Sequence, residues 1–288
     1  YKQYPAINIG FYPPLFYVAS VPVLMIAGVS HAASQLAVIL FAFAAGVMSY
    51  LILRTRMDRS TAAATSICTM LMPAMALWSR QVQIDVPAIA WLLAFTYFLD
   101  LHLRKGSVTT LFLAAACLGC AILTRAQAVF AIPVFLAFIF LCKYGGRPRL
   151  RIRIAAVSLM GVMALPAVIS VAYFSKVNLK QAGAMPGTPS LMSLKNWTFY
   201  AEYFPEQMGA LVLIVVTIAL ILLPISVRTL QMSSTPTILI AMAIASWLFF
   251  SLVSNKEPRF NLPCLPFLWM FSSLIVHQYS ARLFKVLL

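Results

Sequence analysis

An all-α bundle of transmembrane helices is the fold class that this sequence predicts, and three observations predict it. The 288 residues are 62% hydrophobic and 9% charged, with a mean hydropathy of +0.94; soluble domains are about 45–50% apolar. Apolar runs of roughly 17–20 residues recur along the whole length, each enough to cross a hydrocarbon core of about 30 Å. The connections between these runs alternate between strongly basic and weakly charged, the pattern by which Lys and Arg are held on one side of a membrane. No polar stretch is long enough to fold as a soluble domain, so the chain reads as a single polytopic module, 1–288.

The first apolar segment, 14–29, stands apart from the others. It is short and carries Pro22, and proline disfavours an uninterrupted helix. We read it as interfacial or re-entrant. About nine spans follow, at 34–53, 61–78, 85–103, 107–124, 126–142, 154–174, 209–227, 236–253 and 262–280. Every second connection between them is basic. The first holds Arg54, Arg56 and Arg59, the next Arg104 and Lys105, and a third runs from Lys143 to Arg153. Arg228, and then Arg282 with Lys285, close the series. These connections are expected on the cytoplasmic side. The net charge of +15 is thereby explained by topology, with no call for a nucleic-acid partner. The five cysteines lie in or beside apolar runs and read as packing residues.

The opposite, external face collects fewer charges, but each sits beside a helix end: Arg80, Asp85, Arg125, Lys256, Glu257 and Arg259. A long external loop at 175–208 adds aromatics and Glu202 with Glu206, which would share a helix face at their i, i+4 spacing. A charge at membrane depth is costly unless it is paired or faces a water-filled cavity, so a cavity with a positive field is expected there. Such a field suits a phosphate, for which Arg offers a planar fork and Lys a point charge. Plainer readings stand beside this one. Asp85 would serve as a partner of Arg80 or as a favourable charge at a helix N-terminus. Arg125 would serve as a snorkelling anchor, and Lys256 and Arg259 as interfacial anchors. Asp100 is expected to pair locally with Arg104. No metal-ligand spacing, Gly-rich phosphate loop or Ser-His-Asp set can be argued. The glycosylation-type tripeptide Asn196-Trp197-Thr198 is given no weight.

Four elements now gain meaning together: YPPLFY (12–17), SRQVQIDVPAIAWLL (79–93), GCAILTRAQAVFAIPVFL (119–136) and EPRFNLPCLPF (257–267). In order and spacing they resemble the GT-C glycosyltransferases, in particular the bacterial branch similar to protein O-mannosyltransferases and to the lipid A aminoarabinose transferase. The resemblance covers roughly 8–280. It implies that the Pro-Pro element opens a short helix along the membrane surface. It also implies transfer of a sugar from a polyprenyl-phosphate donor at the extracytoplasmic face of the plasma membrane, in bacteria the inner membrane of the cell envelope. By position, Arg125 would lie beside the lipid phosphate, Arg80 and Asp85 would line the active site, and Lys256 and Arg259 would face the same cavity. Pro263 and Pro266 would open the last helix. Tyr12 stands where His or Lys is usual and is counted with the phosphate- and substrate-binding residues. Arg125 replaces a usual Lys, and Phe260 a usual Tyr. The family's first span and its first external loop, which carries a catalytic Asp-Glu pair, would precede Tyr1.

The function expected is therefore a membrane glycosyltransferase, with Asp85 as the catalytic residue present. Its partners would be a polyprenyl-phosphate-linked sugar, a glycan, lipid or protein acceptor, and membrane lipid. No cofactor is specified, and a divalent cation is left open because only some GT-C branches use one. Two alternatives are a transporter or flippase of an anionic lipid-linked substrate and a non-catalytic GT-C-like scaffold. Against the transporter, no repeat of the two halves is visible and the charges keep to the helix ends.

Overall fold

The structure, a computed structural model, describes residues 13–142, 148–173, 189–229, 233–253 and 256–287. Every regular element among them is helical. The first helix, α1 (Leu15–Ala27), has 13 residues. At 1.5 Å per residue it is about 20 Å long, too short for a bilayer core. Pro22 does not end it, contrary to the sequence expectation of a break; that residue is exposed, so its ring faces away from the bundle. The helix stops instead at Gly28, whose φ of +80° suits a residue without a Cβ. Ser30 then caps α2 (His31–Leu53) by accepting the Ala33 N–H at 3.1 Å.

Asp58 caps α3 (Arg59–Leu71) through the Thr61 N–H at 3.0 Å. Between α3 and α4 (Pro73–Ser79) the axis bends by 63°. The cause is local: the residue before a proline is driven out of helical geometry, and Met72 sits at φ −52°, ψ 133°. Next come α5 (Asp85–Lys105), closed by Gly106 in the left-handed region, and α6 (Val108–Thr124). At Arg125 the chain becomes extended. It then makes a 3₁₀ turn at Ala126–Phe130, α7 (Ala131–Leu136) and a π turn at Ala137–Leu141. The later helices are α8 (Leu150–Tyr173), α9 (Leu194–Glu202), α10 (Phe204–Met208), α11 (Ala210–Thr229) and α12 (Ser234–Leu252). A 3₁₀ turn at Pro258–Asn261 leads into α13 (Cys264–Leu287).

Each expected span has helical structure at its place. Among the described residues four helices, α2, α5, α8 and α12, are long and apolar enough to cross a membrane, and the bent α3–α4 pair makes a fifth. The helices over 108–124, 126–141 and 210–224 are apolar but shorter. The centre of the bundle is α5: 78% of its apolar stretch is buried, against 22% for peripheral α8. It packs on α6 and α2, α6 packs on α8, and α13 packs on α11 and α12. At the α6–α8 crossing a Cβ on Gly119 would lie 2.7 Å from the Met163 Cβ, so only glycine allows that approach.

Contacts define the two ends. At one, Arg56 of the α2–α3 turn donates to Thr235 of α12, whose hydroxyl donates to Asp100 of α5. The basic connections at 54–59 and 104–105 thus meet at a single end. The charges at 80, 85, 125, 256 and 259 all belong to the other.

Candidate functional site

The second end is built around the start of α5 and the end of α6. Asp85 is the first residue of α5 and its carboxylate turns inward. Arg125 follows α6 in an extended conformation, φ −145°, ψ 111°, which swings its side chain back across the helix end. Its Nη1 lies 2.7 Å from Asp85 Oδ1, and both side chains are about 95% buried. The approach is oblique, so Nη1 gains an ion-pair partner but no hydrogen-bond acceptor. A buried pair of this kind adds little net stability, because desolvation offsets the attraction, yet removing one partner costs about 3–5 kcal/mol.

Two aromatic rings cover the guanidinium. The ring of Phe250, near the end of α12, is centred 5.5 Å from it, and that of Phe260 lies at 6.0 Å. The two rings stack on each other, 26° apart in plane. Phe260 also faces Arg259 at 5.8 Å, and Arg259 lies over Trp78 at 5.5 Å while pairing with Glu257 at 2.6 Å. Arg125 and Arg259 therefore share one aromatic shelf.

Lys256 does a different job. Its ammonium donates to the Phe250 and Ser251 carbonyls at 2.9 and 2.7 Å, closing the C-terminus of α12, and it sits over the Tyr200 ring. A cation at this helix end is favourable. Burial pushes its pKa down to about 8 and the Tyr200 hydroxyl up. The same carbonyls receive Asn196 Nδ2 at 3.0 Å and Tyr200 Oη at 3.4 Å, both from α9. Gln207 of α10 donates to the Pro258 carbonyl at 2.8 Å. Surface helices α9 and α10 are thereby tied to the residues that carry the aromatic shelf.

The sequence-predicted residues fall into three groups. Asp85 and Arg125 are joined directly, and Arg259 and Lys256 surround them through Phe260 and Phe250. Arg80 is not part of the cluster. It ends α4, is exposed, and contributes only its carbonyl, which accepts Gln35 Nε2 at 2.8 Å. The partner of Asp85 is accordingly Arg125 and not Arg80: the turn over 80–84 leads the Arg80 side chain outward while Asp85 faces the end of α6. Tyr12 lies outside the described residues. Glu202 and Glu206 do not share a helix face, because Tyr203 separates α9 from α10. The expected open hollow is narrow here. A crevice bounded by Ala88, Leu92, Arg125, Ala128, Phe250 and Pro263 reaches the guanidinium but has no room for a water molecule; Asp85 is paired with the guanidinium and the two rings lie over it.

The sequence reasoning missed Phe250, Asn196 and Gln207; Tyr200, one of the aromatics expected in the 175–208 loop, lies under Lys256 and donates to the Phe250 carbonyl. Asn196 is fully buried and engaged with α12, which accounts for the tripeptide without glycosylation. Among the described residues no three His, Cys, Asp or Glu side chains gather as a metal site. Asp85 by itself, already paired with Arg125, does not make one.

With the geometry established, comparison with known proteins places the chain. The sequence profile of the dolichyl-phosphate-mannose-protein mannosyltransferase family matches residues 12–174, more than half of the chain. The chain belongs to that family. No curated protein matches it in sequence. Two solved structures share the fold of this family member. ArnT from Cupriavidus metallidurans bound to undecaprenyl phosphate superposes with a TM-score of 0.66 at 17% identity, covering 96% of this chain and 53% of that one. The apo state of the same protein gives 0.67 at 16%, covering 96% and 51%. The chain spans about half the length of these structures. It is an integral membrane protein of the mannosyltransferase family with a GT-C, ArnT-like helical fold, as the four sequence elements implied.

Proposed function

We propose that this mannosyltransferase-family chain forms the helical body of a membrane glycosyltransferase, and that Arg125 receives the phosphate of a polyprenyl-phosphate-linked sugar. The observation that carries this is the buried Arg125–Asp85 pair: a fixed cation in a dry, aromatic setting, with one guanidinium nitrogen lacking a hydrogen-bond acceptor. The ArnT structure with undecaprenyl phosphate supports the choice of ligand class.

The chemistry follows from charge. Breaking the anomeric carbon–oxygen bond leaves the electron pair on the lipid phosphate. A preorganised guanidinium away from bulk water stabilises that charge as it develops. Loss of one such donor typically costs about 2.7–4 kcal/mol, or 10²–10³ in rate. Asp85 holds Arg125 in position until the phosphate displaces it. The acceptor oxygen bonds to the anomeric carbon as the bond to the lipid phosphate breaks, and its proton passes to a carboxylate acting as general base. Arg259 and Lys256 raise the positive potential at the mouth. The active end faces away from the cytoplasm, since the basic connections gather at the other end.

The test uses the full protein in membranes with labelled polyprenyl-phosphate sugars. Label should move to an acceptor, and Arg125→Ala should slow the transfer by about 10²–10³. Undiminished transfer by a correctly folded Arg125→Ala protein sinks the assignment.

A further inference from the structure

At the opposite end of the bundle, the structure assigns a second lipid site, independent of the transfer reading: we infer that the cleft between α2 and α3 binds an anionic glycerophospholipid. The cleft is a groove of about 330 Å³, large enough for part of an acyl chain. Phe43, Val47 and Tyr50 of α2 form one wall and Ala63, Ile67 and Met70 of α3 the other. Both sets follow the i, i+3, i+4, i+7 stripe of a single helix face. Phe43 and Ile67 are 71% and 58% exposed, so the groove opens sideways, where a membrane protein meets hydrocarbon. Its polar side chain at depth, the Ser66 hydroxyl, is already bonded to the Gly46 carbonyl.

Charge decides which lipid. One turn beyond Tyr50 the α2 stripe continues to Arg54, and one turn before Ala63 the α3 stripe begins at Arg59. Both walls therefore end in an arginine at the same mouth. Arg54 is half-buried and spends one guanidinium nitrogen on the Met57 carbonyl at 3.4 Å; Arg59 is exposed. Arg56, between them in sequence, turns the other way to Thr235. The one carboxylate in the turn, Asp58, is engaged by Ser60 and Thr61 as the α3 cap. A net positive mouth above an apolar groove matches a phosphodiester headgroup with its tail below. The Arg125 pair is at the far end of the bundle, too distant to share this headgroup.

Native mass spectrometry of the full protein tests the inference, with phosphatidylglycerol and phosphatidylcholine of matched chains supplied in equal amounts. Phosphatidylglycerol should be retained by about tenfold over phosphatidylcholine. Arg54→Gln with Arg59→Gln should bring the ratio near one, while Arg54→Lys with Arg59→Lys keeps most of it. Ala63→Phe, which fills the groove without touching charge, should lower retention of both lipids. Ile67→Trp, filling it from the open side, should do the same if Ala63→Phe fails to fold. Equal binding of the two lipids by the unaltered protein overturns the proposal. So does an unchanged preference in the double Gln variant, or displacement of phosphatidylglycerol by undecaprenyl phosphate. A dimer that Ala63→Phe dissolves would give the groove to a second copy of the chain instead.

Discussion

Two buried aspartates stand at opposite ends of the same helix, α5, about 22 Å apart at 1.5 Å per residue, and they are treated in opposite ways. Asp100 is saturated. One oxygen accepts Ser234 at 2.6 Å and Thr235 at 3.0 Å, and the other accepts Arg104 at 2.9 Å. Arg104 keeps 29% of its side chain exposed, so its charge stays partly in water. Asp85 faces a guanidinium that is itself buried and lacks a hydrogen bond on the contacting nitrogen. A satisfied network fixes structure; an under-satisfied pair at a crevice retains capacity for another anion. Burial and charge are alike in the two places, and the difference in hydrogen bonding separates scaffold from candidate site.

The strongest way to break this contrast is Arg125→Ala. Transfer should fall by about 10²–10³ and stability by about 3–5 kcal/mol, because Asp85 is left uncompensated. Adding Asp85→Ala should restore part of the melting temperature and none of the transfer. Recovery of transfer in the double variant would make the pair a structural device.

Asp100→Ala comes next. It strands two buried hydroxyls and should cost about 2–3 kcal/mol, read by thermal unfolding in detergent, while transfer per folded molecule is unchanged. A selective loss of transfer would erase the distinction between the two ends.

A smaller effect is expected from Lys256. Its folded pKa is about 8, below the ordinary value of about 10.4. Between those values the unfolded chain holds a proton that the folded one has released, so stability rises as pH climbs through this window. Melting at pH 7.5 and pH 10 should show this rise in the unaltered protein. Lys256→Met should flatten it.

The smallest effect belongs to Arg80→Ala, within about 0.5 kcal/mol of the unaltered stability, as for an exposed surface side chain. A loss of transfer above tenfold in that variant would bring Arg80 to the ligand and sharpen the map of the site.

Much of the fold was legible because hydropathy and alternating Lys/Arg content are one-dimensional signals. The shortness of segment 14–29 was legible, although Pro22 suggested a break that an outward-facing ring does not cause. The joining of Asp85 to Arg125 was not legible. It depends on Arg125 being extended at the end of α6, a backbone feature with no compositional mark. The aromatic cover was hidden for a similar reason: Phe250 lies within an apolar run and looks like any lipid-facing or core residue. Asn196 was not legible because its partner, the Ser251 carbonyl, lies 55 residues further along the chain. Asp100 was legible in part, since its i, i+4 neighbour Arg104 is local, while Ser234 and Thr235 come from more than 130 residues away.

Phe260 touches an interior cation on one side and a rim cation on the other. A shared ring couples its neighbours: a double-mutant cycle of Arg125→Ala and Arg259→Ala should give a non-zero interaction that Phe260→Leu removes.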